Sequence, residues 1–298
     1  MMKKFFTHIM LLLFFLVPPC AAGDILVIQS MQIKPYNDAL QGFKSVNKAR
    51  TNKLVSSELN EQEIAGKVRK IKPGLILAIG LDALAKVRGI RDVPIVYLMV
   101  LNPRSLPQDN GNVTGVSMNI APERQLSQLR QILPKVKKIA LYFDPGKSGN
   151  YVGRAYNAAA IMGIELLAKE VHSPREAMTA IDAMKGKADV LWLLPDTTVV
   201  NPATIDLLLL STLENKIPVL TFSAKYVEKG ALLSLEVDAE DVGRQAGEMA
   251  NRILAGAAVQ SISKEDARGG ILTVNLIVAK KLGISINGNV LKHARVIR

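Results

Sequence analysis

The feature that most constrains the fold is a repeat, because the second half of the 298-residue chain follows the same order of predicted elements as the first. GDILVIQSMQ in the first half has its counterpart in KKIALYFDPG, and each is typical of a strand that runs into a polar loop and a helix. Two further strands also match, since KPGLILAIG corresponds to KADVLWLLP, and VPIVYLMVLNP to IPVLTFSAKYV. Strands that alternate with amphipathic helices favour parallel sheets with right-handed crossovers. The sequence therefore predicts two similar α/β lobes.

The ends of the two halves indicate how these lobes are joined. VTGVSMN closes the first half and LLSLEVD the second, and a long helix follows each strand. We predict that both strands cross between the lobes as hinges, with a third crossing near GGILTVN. Residues 24–116 and 236–265 are predicted to form lobe one, and residues 117–235 and 266–298 to form lobe two.

Residues 1–23 have the pattern of a secretory signal peptide. Lys3 and Lys4 precede a short apolar run at residues 9–17, and small residues follow as far as Ala22. The alternative is a retained membrane anchor, but the run is too short to span a bilayer comfortably. Cleavage near Ala22 removes the only cysteine, Cys20, and predicts a periplasmic protein. The residues before Cys20 match a lipoprotein signal poorly, but lipidation of this cysteine stays open.

The composition and the motifs argue against several function classes. The formal net charge is +12, but the basic residues are scattered over helix faces and turns without interleaved aromatic residues, which favours a solvated surface over nucleic-acid binding. His172 and His293 lack a spaced partner for a zinc site or a catalytic triad, and no glycine-rich phosphate loop is present in the sequence. We therefore predict no metal, no cofactor and no catalysis. Acid–base chemistry by carboxylates in the cleft is the alternative.

One stretch points to a binding site. In ADVLWLLPDTTVV an apolar run typical of a central parallel strand ends in Asp196, Thr197 and Thr198. Ligands bind at the carboxyl ends of such strands, although Asp and Thr also favour turns and helix caps. The matching stretch PGLILAIGLDAL ends in a similar polar step, which favours a site between the lobes.

Two long segments carry a resemblance to a family. NVTGVSMNIAPERQLSQLRQILPKVKKIALYFDP and ENKIPVLTFSAKYVEKGALLSLEVDAEDVGRQAGEMANRILAG resemble the solute-binding proteins of ABC transporters, in particular the branch with aromatic-amino-acid binders of the tryptophan and tyrosine type. The resemblance extends to the tail LTVNLIVAKKLGI. It implies the type I periplasmic-binding fold, with two Rossmann-like lobes and three crossovers. It also implies a monomer that holds a small ligand between its lobes and delivers it to a membrane permease.

The resemblance also implies which residues touch the ligand. Lobe one offers Ser30, Met31, Tyr36, Gly80, Leu81, Asp82, Val100 and Asn102. Lobe two offers Asp144, Ser148, Asn150, Asp196, Thr197, Thr198, Ser223 and Tyr226, and Glu236 reaches from a crossover. Asp196 suits an ammonium group. As alternatives, Ser223 and Asp82 cap their own helices, and Tyr226 packs in the core.

The identity of the ligand stays open at this stage. Amino-acid binders of this family commonly carry Pro-x-Asp-Asn where this chain has Pro195, Asp196, Thr197 and Thr198. An amide that both donates and accepts hydrogen bonds is thereby lost. A sensory module that presents its ligand to a membrane receptor has the same sequence signals as a transport protein. A sugar-responsive repressor shares the fold, but the predicted signal peptide occupies the place of its DNA-binding unit.

Overall fold

The structure is a computed structural model, and it describes residues 23–103, 111–182, 186–202 and 204–298. The predicted signal peptide lies almost wholly outside these residues, as does its cleavage point at Ala22. The fold consists of two sheets with helices packed on their faces.

The first sheet has six strands that are all parallel. In chain order the strands are β1 (Ile25–Gln29), β2 (Thr51–Val55), β3 (Leu75–Ile79), β4 (Ile95–Val100), β5 (Val113–Ile120) and β11 (Glu265–Ala267). They are arranged in the order β11-β5-β4-β3-β1-β2. Every residue of β1, β3 and β4 is buried, as expected of strands that are covered by helices on both faces.

The second sheet has seven strands. These are β6 (Lys138–Phe143), β7 (Glu165–Glu170), β8 (Val190–Trp192), β9 (Val219–Thr221), β10 (Leu233–Val237), β12 (Gly270–Asn275) and β13 (Arg295–Ile297). Their order is β13-β12-β10-β9-β8-β6-β7, and the β10–β12 pair alone is antiparallel. The buried apolar stretch that ends at Asp196 supplies β8, which lies at the centre of this sheet.

The helices divide between the two sheets. Helices α1 (Lys34–Val46), α2 (Glu61–Ile71), α3 (Leu81–Val87) and α9 (Ala239–Leu254) pack on the first sheet or on each other, and we call this unit the first lobe. Helices α4 (Pro122–Ile132), α5 (Pro145–Ile161), α6 (Pro174–Asp182), α7 (Ile205–Glu214), α8 (Ala224–Glu228), α10 (Leu276–Lys281) and α11 (Gly288–Leu291) accompany the second sheet, and this unit is the second lobe. In the described part of the chain, no helix is long and apolar enough to cross a membrane.

The chain passes between the lobes three times. It leaves the first sheet after β5 and enters α4, it leaves the second sheet after β10 and enters α9, and it passes from β11 directly to β12. The predicted fold class is therefore confirmed. The exact lobe boundaries stay a prediction, and in the structure β5 continues in the first sheet to Ile120 while β10 continues in the second to Val237.

The return into the first lobe depends on a close approach of α1 and α9. A Cβ atom added to Gly42 would lie 2.0 Å from the carbonyl oxygen of Glu240, and one on Gly243 would lie 1.9 Å from the carbonyl oxygen of Ala39. Only glycine fits at such distances, so these two positions set how closely α9 packs against α1.

Candidate functional site

A large cavity lies between the two lobes. Its volume is about 850 Å³, and it is lined by the ends of β4 and β5, the start of α1, the loops after β8 and β9, and the crossover from β10 to α9. Each of the three crossings places a residue in the lining: Ile120 at the end of β5, Glu236 near the end of β10 and Ile271 near the start of β12. The carboxyl ends of parallel strands therefore face this space, as the topology requires.

Much of the wall is apolar. The contributing side chains are Met99, Leu101, Met118, Ile120, Leu194, Pro195, Phe222, Leu235, Val237 and Ile271. Phe222 is half-buried and packs edge-to-face on Tyr226, with the ring centroids 5.3 Å apart. This surface suits a ligand with a large apolar or aromatic part.

Some charged groups of the cavity already form an ion pair or cap a helix, and others do not. Lys34 and Asp38 form an ion pair of 2.6 Å on α1, and Asp238 caps α9 by accepting a hydrogen bond of 3.1 Å from the Asp241 amide. Among the described residues, the Glu236 side chain accepts one hydrogen bond, a long one of 3.3 Å from the Ser223 hydroxyl.

Arg295 is exposed and lines the same cavity, and within the described ranges it has no hydrogen bond or ion pair. The cavity thus combines an apolar wall with one acid and one base that are free to bind a ligand.

The floor of the cavity is a chain of buried hydrogen bonds. The Trp192 indole donates to Gln125 at 3.0 Å, the Gln125 amide donates to the Tyr151 hydroxyl at 2.8 Å, and that hydroxyl donates to the Ile120 carbonyl at 2.8 Å. Burial raises the pKa of Tyr151 well above its ordinary value, so the phenol stays protonated. These contacts tie β8, α4 and α5 to the end of β5, which fixes the floor.

Five of the residues predicted from the sequence come together at the cleft. Asn102, Ser148, Ser223 and Glu236 line the large cavity. Asn102 and Asn150 line a second, much smaller cavity of about 40 Å³ beside it. Asn102 also donates a hydrogen bond of 2.9 Å to the carbonyl of Lys147, and so joins the end of β4 to the start of α5.

Asp196 lies outside the lining of the large cavity and is 1% exposed. Its carboxylate accepts hydrogen bonds from the Asp144 amide at 2.9 Å, the Ser148 hydroxyl at 2.8 Å and the Thr198 amide at 3.0 Å. These bonds hold the loop after β8 against the loop after β6. Its role in binding an ammonium group stays a prediction.

The neighbouring predicted residues belong to the same network. The Thr198 hydroxyl donates to Asp144 at 2.8 Å, and the Lys147 ammonium donates to the hydroxyls of Thr197 and Thr198 at 2.7 and 2.8 Å. The Thr198 hydrogen bond lowers the pKa of Asp144, and the Gly146 amide and the Lys147 charge act in the same direction. The network therefore keeps Asp144 ionised at neutral pH.

A second group of predicted residues meets at the edge of the first sheet. The Ser30 hydroxyl accepts a hydrogen bond of 3.0 Å from the Ala83 amide, and a Cβ atom on Gly80 would lie 2.6 Å from both the Ser30 and Tyr36 hydroxyl oxygens. Gly80 has a φ of 91°, which favours glycine. Burial raises the pKa of Tyr36. Asp82 accepts a hydrogen bond of 2.5 Å from Ser56 and pairs with Lys86 at 3.1 Å.

The remaining predicted residues have varied surroundings. Met31 and Leu81 are about half exposed, Val100 is fully buried in β4, and Tyr226 packs against Phe222. Like the Ser30 and Asp196 groups, they lie outside the lining of the large cavity, and their contact with a ligand stays a prediction.

Several lining residues were missed by sequence reasoning. Gln125 and Tyr151 lie on helices rather than in loops, and Arg295 lies in a short strand near the end of the chain. The polar Gln125 next to the apolar Leu126 could have indicated that α4 contributes a side chain to the site. Nothing in the local sequence pattern indicates that Arg295 lies in the site. Among the described residues, no group of three or more His, Cys, Asp or Glu side chains is placed to hold a metal ion.

Comparison with known proteins agrees with this geometry. A family model described as "ABC transporter substrate binding protein" matches residues 32–297, which is nearly all of the described chain. The chain belongs to this family. Substrate-binding proteins of the family hold a ligand rather than convert it, and a cleft between two lobes is the expected place.

The sequence of this ABC transporter substrate-binding protein is also similar to that of an individual characterised protein. A tyrosine-binding protein of Clostridioides difficile is 30% identical over 210 residues, which are 67% of this chain and 60% of that protein. The match thus spans less than two thirds of the relative's length.

Two solved structures support the fold. The ligand-free, open structure of a substrate-binding protein with adhesive properties from Clostridium difficile has a TM-score of 0.75 and 24% identity, and the match covers 93% of this chain and 99% of that one. A Streptococcus pneumonia ABC domain in complex with L-Trp has a TM-score of 0.61 and 22% identity, with coverage of 93% and 99%.

Proposed function

We propose that this protein is an extracytoplasmic binding protein that captures an amino acid with a large apolar side chain, and an aromatic one in particular. The cavity between the lobes carries this proposal, because it joins an apolar wall to one carboxylate and one guanidinium that, in the described chain, neither form an ion pair nor cap a helix. The volume of about 850 Å³ is within the range of small-molecule sites. Relatives named for binding tyrosine and for a complex with L-Trp support this ligand class.

The proposed mechanism is closure of the lobes on the ligand. A ligand that contacts both lobes binds the closed arrangement more tightly than the open one, and so shifts the population toward it. The closed form then docks on the permease of an ABC transporter. Residues 1–23 serve as the signal peptide that directs the chain across the inner membrane, with cleavage near Ala22. The proposal needs no cofactor and no catalytic step.

The test is a thermal-shift screen of residues 24–298 against the common amino acids, small peptides, sugars and inorganic anions, followed by calorimetric titration. A specific ligand raises the melting temperature by mass action. We expect L-Trp or L-Tyr to raise it and D-glucose, sulfate and phosphate to leave it unchanged. A shift with sugars and none with any amino acid would contradict the proposed ligand class.

A further inference from the structure

Three neighbouring strands of the second sheet carry hydroxyl side chains in one row. In the register of the sheet, Ser234 on β10 lies between Thr221 on β9 and Thr273 on β12. Their exposed fractions are 0%, 0% and 3%, and none of the three hydroxyl oxygens has a hydrogen-bond partner in the described chain. Buried hydroxyls are almost always hydrogen-bonded, because leaving them unpaired is costly. The row therefore lacks a polar partner among the described residues, and none of its three side chains belongs to the lining of the large cavity.

The row is bordered by the two free charges of the cleft. Arg295 on β13 lies directly opposite Thr273, while Glu236 lies two residues beyond Ser234 on β10. Residues two apart on a strand, and residues opposite each other on adjacent strands, point to the same face of a sheet. Glu236, Arg295 and the hydroxyls thus share one face, and both charged residues line the cavity.

Glu236 and Arg295 are placed to bind one molecule rather than each other. The strand β12 separates them, with Ile271 opposite Glu236 and Thr273 opposite Arg295. Two strand spacings of about 4.8 Å and an offset of two residues along the strand place their Cα atoms roughly 12 Å apart. No ion pair joins them in the described chain. Of the other cavity acids, Asp38 and Glu240 each pair with a base, and Asp238 caps α9. A small group with one positive and one negative end fits between such charges.

We propose that Glu236 and Arg295 form a subsite for the zwitterionic head group of an α-amino acid. The ligand ammonium lies against the Glu236 carboxylate, and the ligand carboxylate meets the planar fork of donors on Arg295. This subsite rests on the proposed function, since it specifies which end of the captured amino acid the second lobe holds.

The decisive experiment compares three ligands by calorimetric titration of residues 24–298. L-Trp carries both charges, tryptamine lacks the carboxylate, and indole-3-propionate lacks the ammonium group. We expect both analogues to bind the wild-type protein roughly ten- to a hundredfold more weakly than L-Trp, because each loses a charge-assisted contact.

Two variants assign each loss to a residue. Arg295→Met is expected to weaken L-Trp binding by a similar factor and to abolish the preference for L-Trp over tryptamine, because both ligands then lack a carboxylate contact. Glu236→Gln is expected to abolish the preference for L-Trp over indole-3-propionate instead. Arg298→Met and Glu228→Gln change exposed charges outside the cavity, and they are expected to bind all three ligands as the wild type does.

A third variant is a control in the hydroxyl row. Thr273→Val keeps the shape of the side chain and removes a hydroxyl that is buried outside the lining of the cavity, so we expect a melting temperature at least as high as that of the wild type and an unchanged L-Trp affinity. An affinity several-fold lower would overturn a subsite made by Glu236 and Arg295 alone.

The outcomes separate this subsite from the proposed function. If the wild type binds L-Trp and the two charge variants keep its affinity and its preferences within about twofold, the subsite is wrong and the amino-acid function stands. If the wild type binds no amino acid at all, the proposed function fails and the subsite fails with it. Melting temperatures of the variants distinguish loss of binding from loss of folding.

Discussion

At the scale of single residues, the structure gives Asp196 a role that can be separated from binding. Its carboxylate accepts three hydrogen bonds and is 1% exposed. In Asp196→Asn an NH2 group replaces one of the accepting oxygens and cannot accept a hydrogen bond from the donors that face it. We therefore expect the free energy of unfolding to fall by roughly 1–3 kcal/mol in urea titrations. The control Asp206→Asn removes an exposed ion pair with Lys229 and is expected to cost less than about 1 kcal/mol.

The same variant tests the expectation from the sequence that Asp196 binds an ammonium group. If Asp196→Asn leaves the free energy of unfolding unchanged but abolishes L-Trp binding, the carboxylate is a ligand contact and the structural role is wrong. If stability falls while the residual folded protein keeps its affinity, the loop contacts explain why Asp and Thr occur at this position.

A second prediction at this scale concerns acid stability. A hydrogen bond from Arg268 lowers the pKa of Asp241 below its ordinary 3.8, and the charges of Arg268 and Arg244 act in the same direction. Because the pKa is lower in the folded state, the unfolded state binds more protons in acid, and the contribution of this pair is lost as the pH falls through the folded pKa. It is fully present above about pH 5.

We therefore expect Arg268→Met to be less stable than the wild type near neutral pH, and the difference to shrink as the pH falls from about 5 to about 2. Urea unfolding at several pH values measures this difference. The control Arg252→Met removes an exposed charge elsewhere on α9, and its difference from the wild type is expected to stay constant with pH. If the difference in the free energy of unfolding between Arg268→Met and the wild type stays constant with pH, the ion pair does not contribute to the loss of stability in acid.

At the scale of elements, the packing of α9 on α1 makes a sharp prediction. A Cβ atom on Gly243 would overlap the Ala39 carbonyl at 1.9 Å, so Gly243→Ala must force the two helices apart. We expect a loss of at least about 2 kcal/mol in the free energy of unfolding. Gly66→Ala on α2 is the matched control, because nothing lies within 4 Å of its added Cβ, and it is expected to stabilise by about 0.5–1 kcal/mol. Similar effects of both substitutions would contradict the close contact.

Most of the elements were predictable from the sequence because the strands are buried on both faces. Runs such as residues 75–79 and 95–100 are continuously apolar, and their order in the two halves fixed the parallel sheets and the crossovers. The short strand at Arg295–Ile297 has no such pattern, and its place at the sheet edge is set by pairing with β12. A strand whose position depends on its pairing partner, and not on a periodic pattern in its own residues, cannot be predicted from the local sequence.

The candidate site was predictable only in part for the same reason. Asn102 and Ser223 each follow a strand within two residues, Ser148 lies near the start of α5, and all three line the cleft, as the topology of parallel sheets requires. Gln125 and Tyr151 reach the cavity from the sides of α4 and α5, and the crossing angle of a helix cannot be read from its sequence. Whether a polar side chain at a strand end faces a ligand or its neighbours depends on packing, and Asp196 illustrates this.

At the scale of the whole molecule, contacts across the cleft determine how easily the lobes separate. Arg154 on α5 forms an ion pair with Asp266 on β11, and the Ser117 hydroxyl donates to the same carboxylate at 2.8 Å. The guanidinium also lies 5.8 Å from the centre of the Tyr151 ring, next to the cavity floor. This cluster, together with the Asn102–Lys147 hydrogen bond, joins the second lobe to the first sheet. We infer that it favours the closed arrangement.

Removing the ion pair is therefore expected to favour the open arrangement. For Arg154→Met we expect a larger radius of gyration in small-angle X-ray scattering and an L-Trp affinity several-fold lower, because binding must then also close the lobes. Saturating L-Trp is expected to return the radius to the wild-type value. Arg130→Met is the control, since Arg130 contacts the Met162 carbonyl within the second lobe. A radius and an affinity for Arg154→Met that match those of Arg130→Met would show that the ion pair does not control closure.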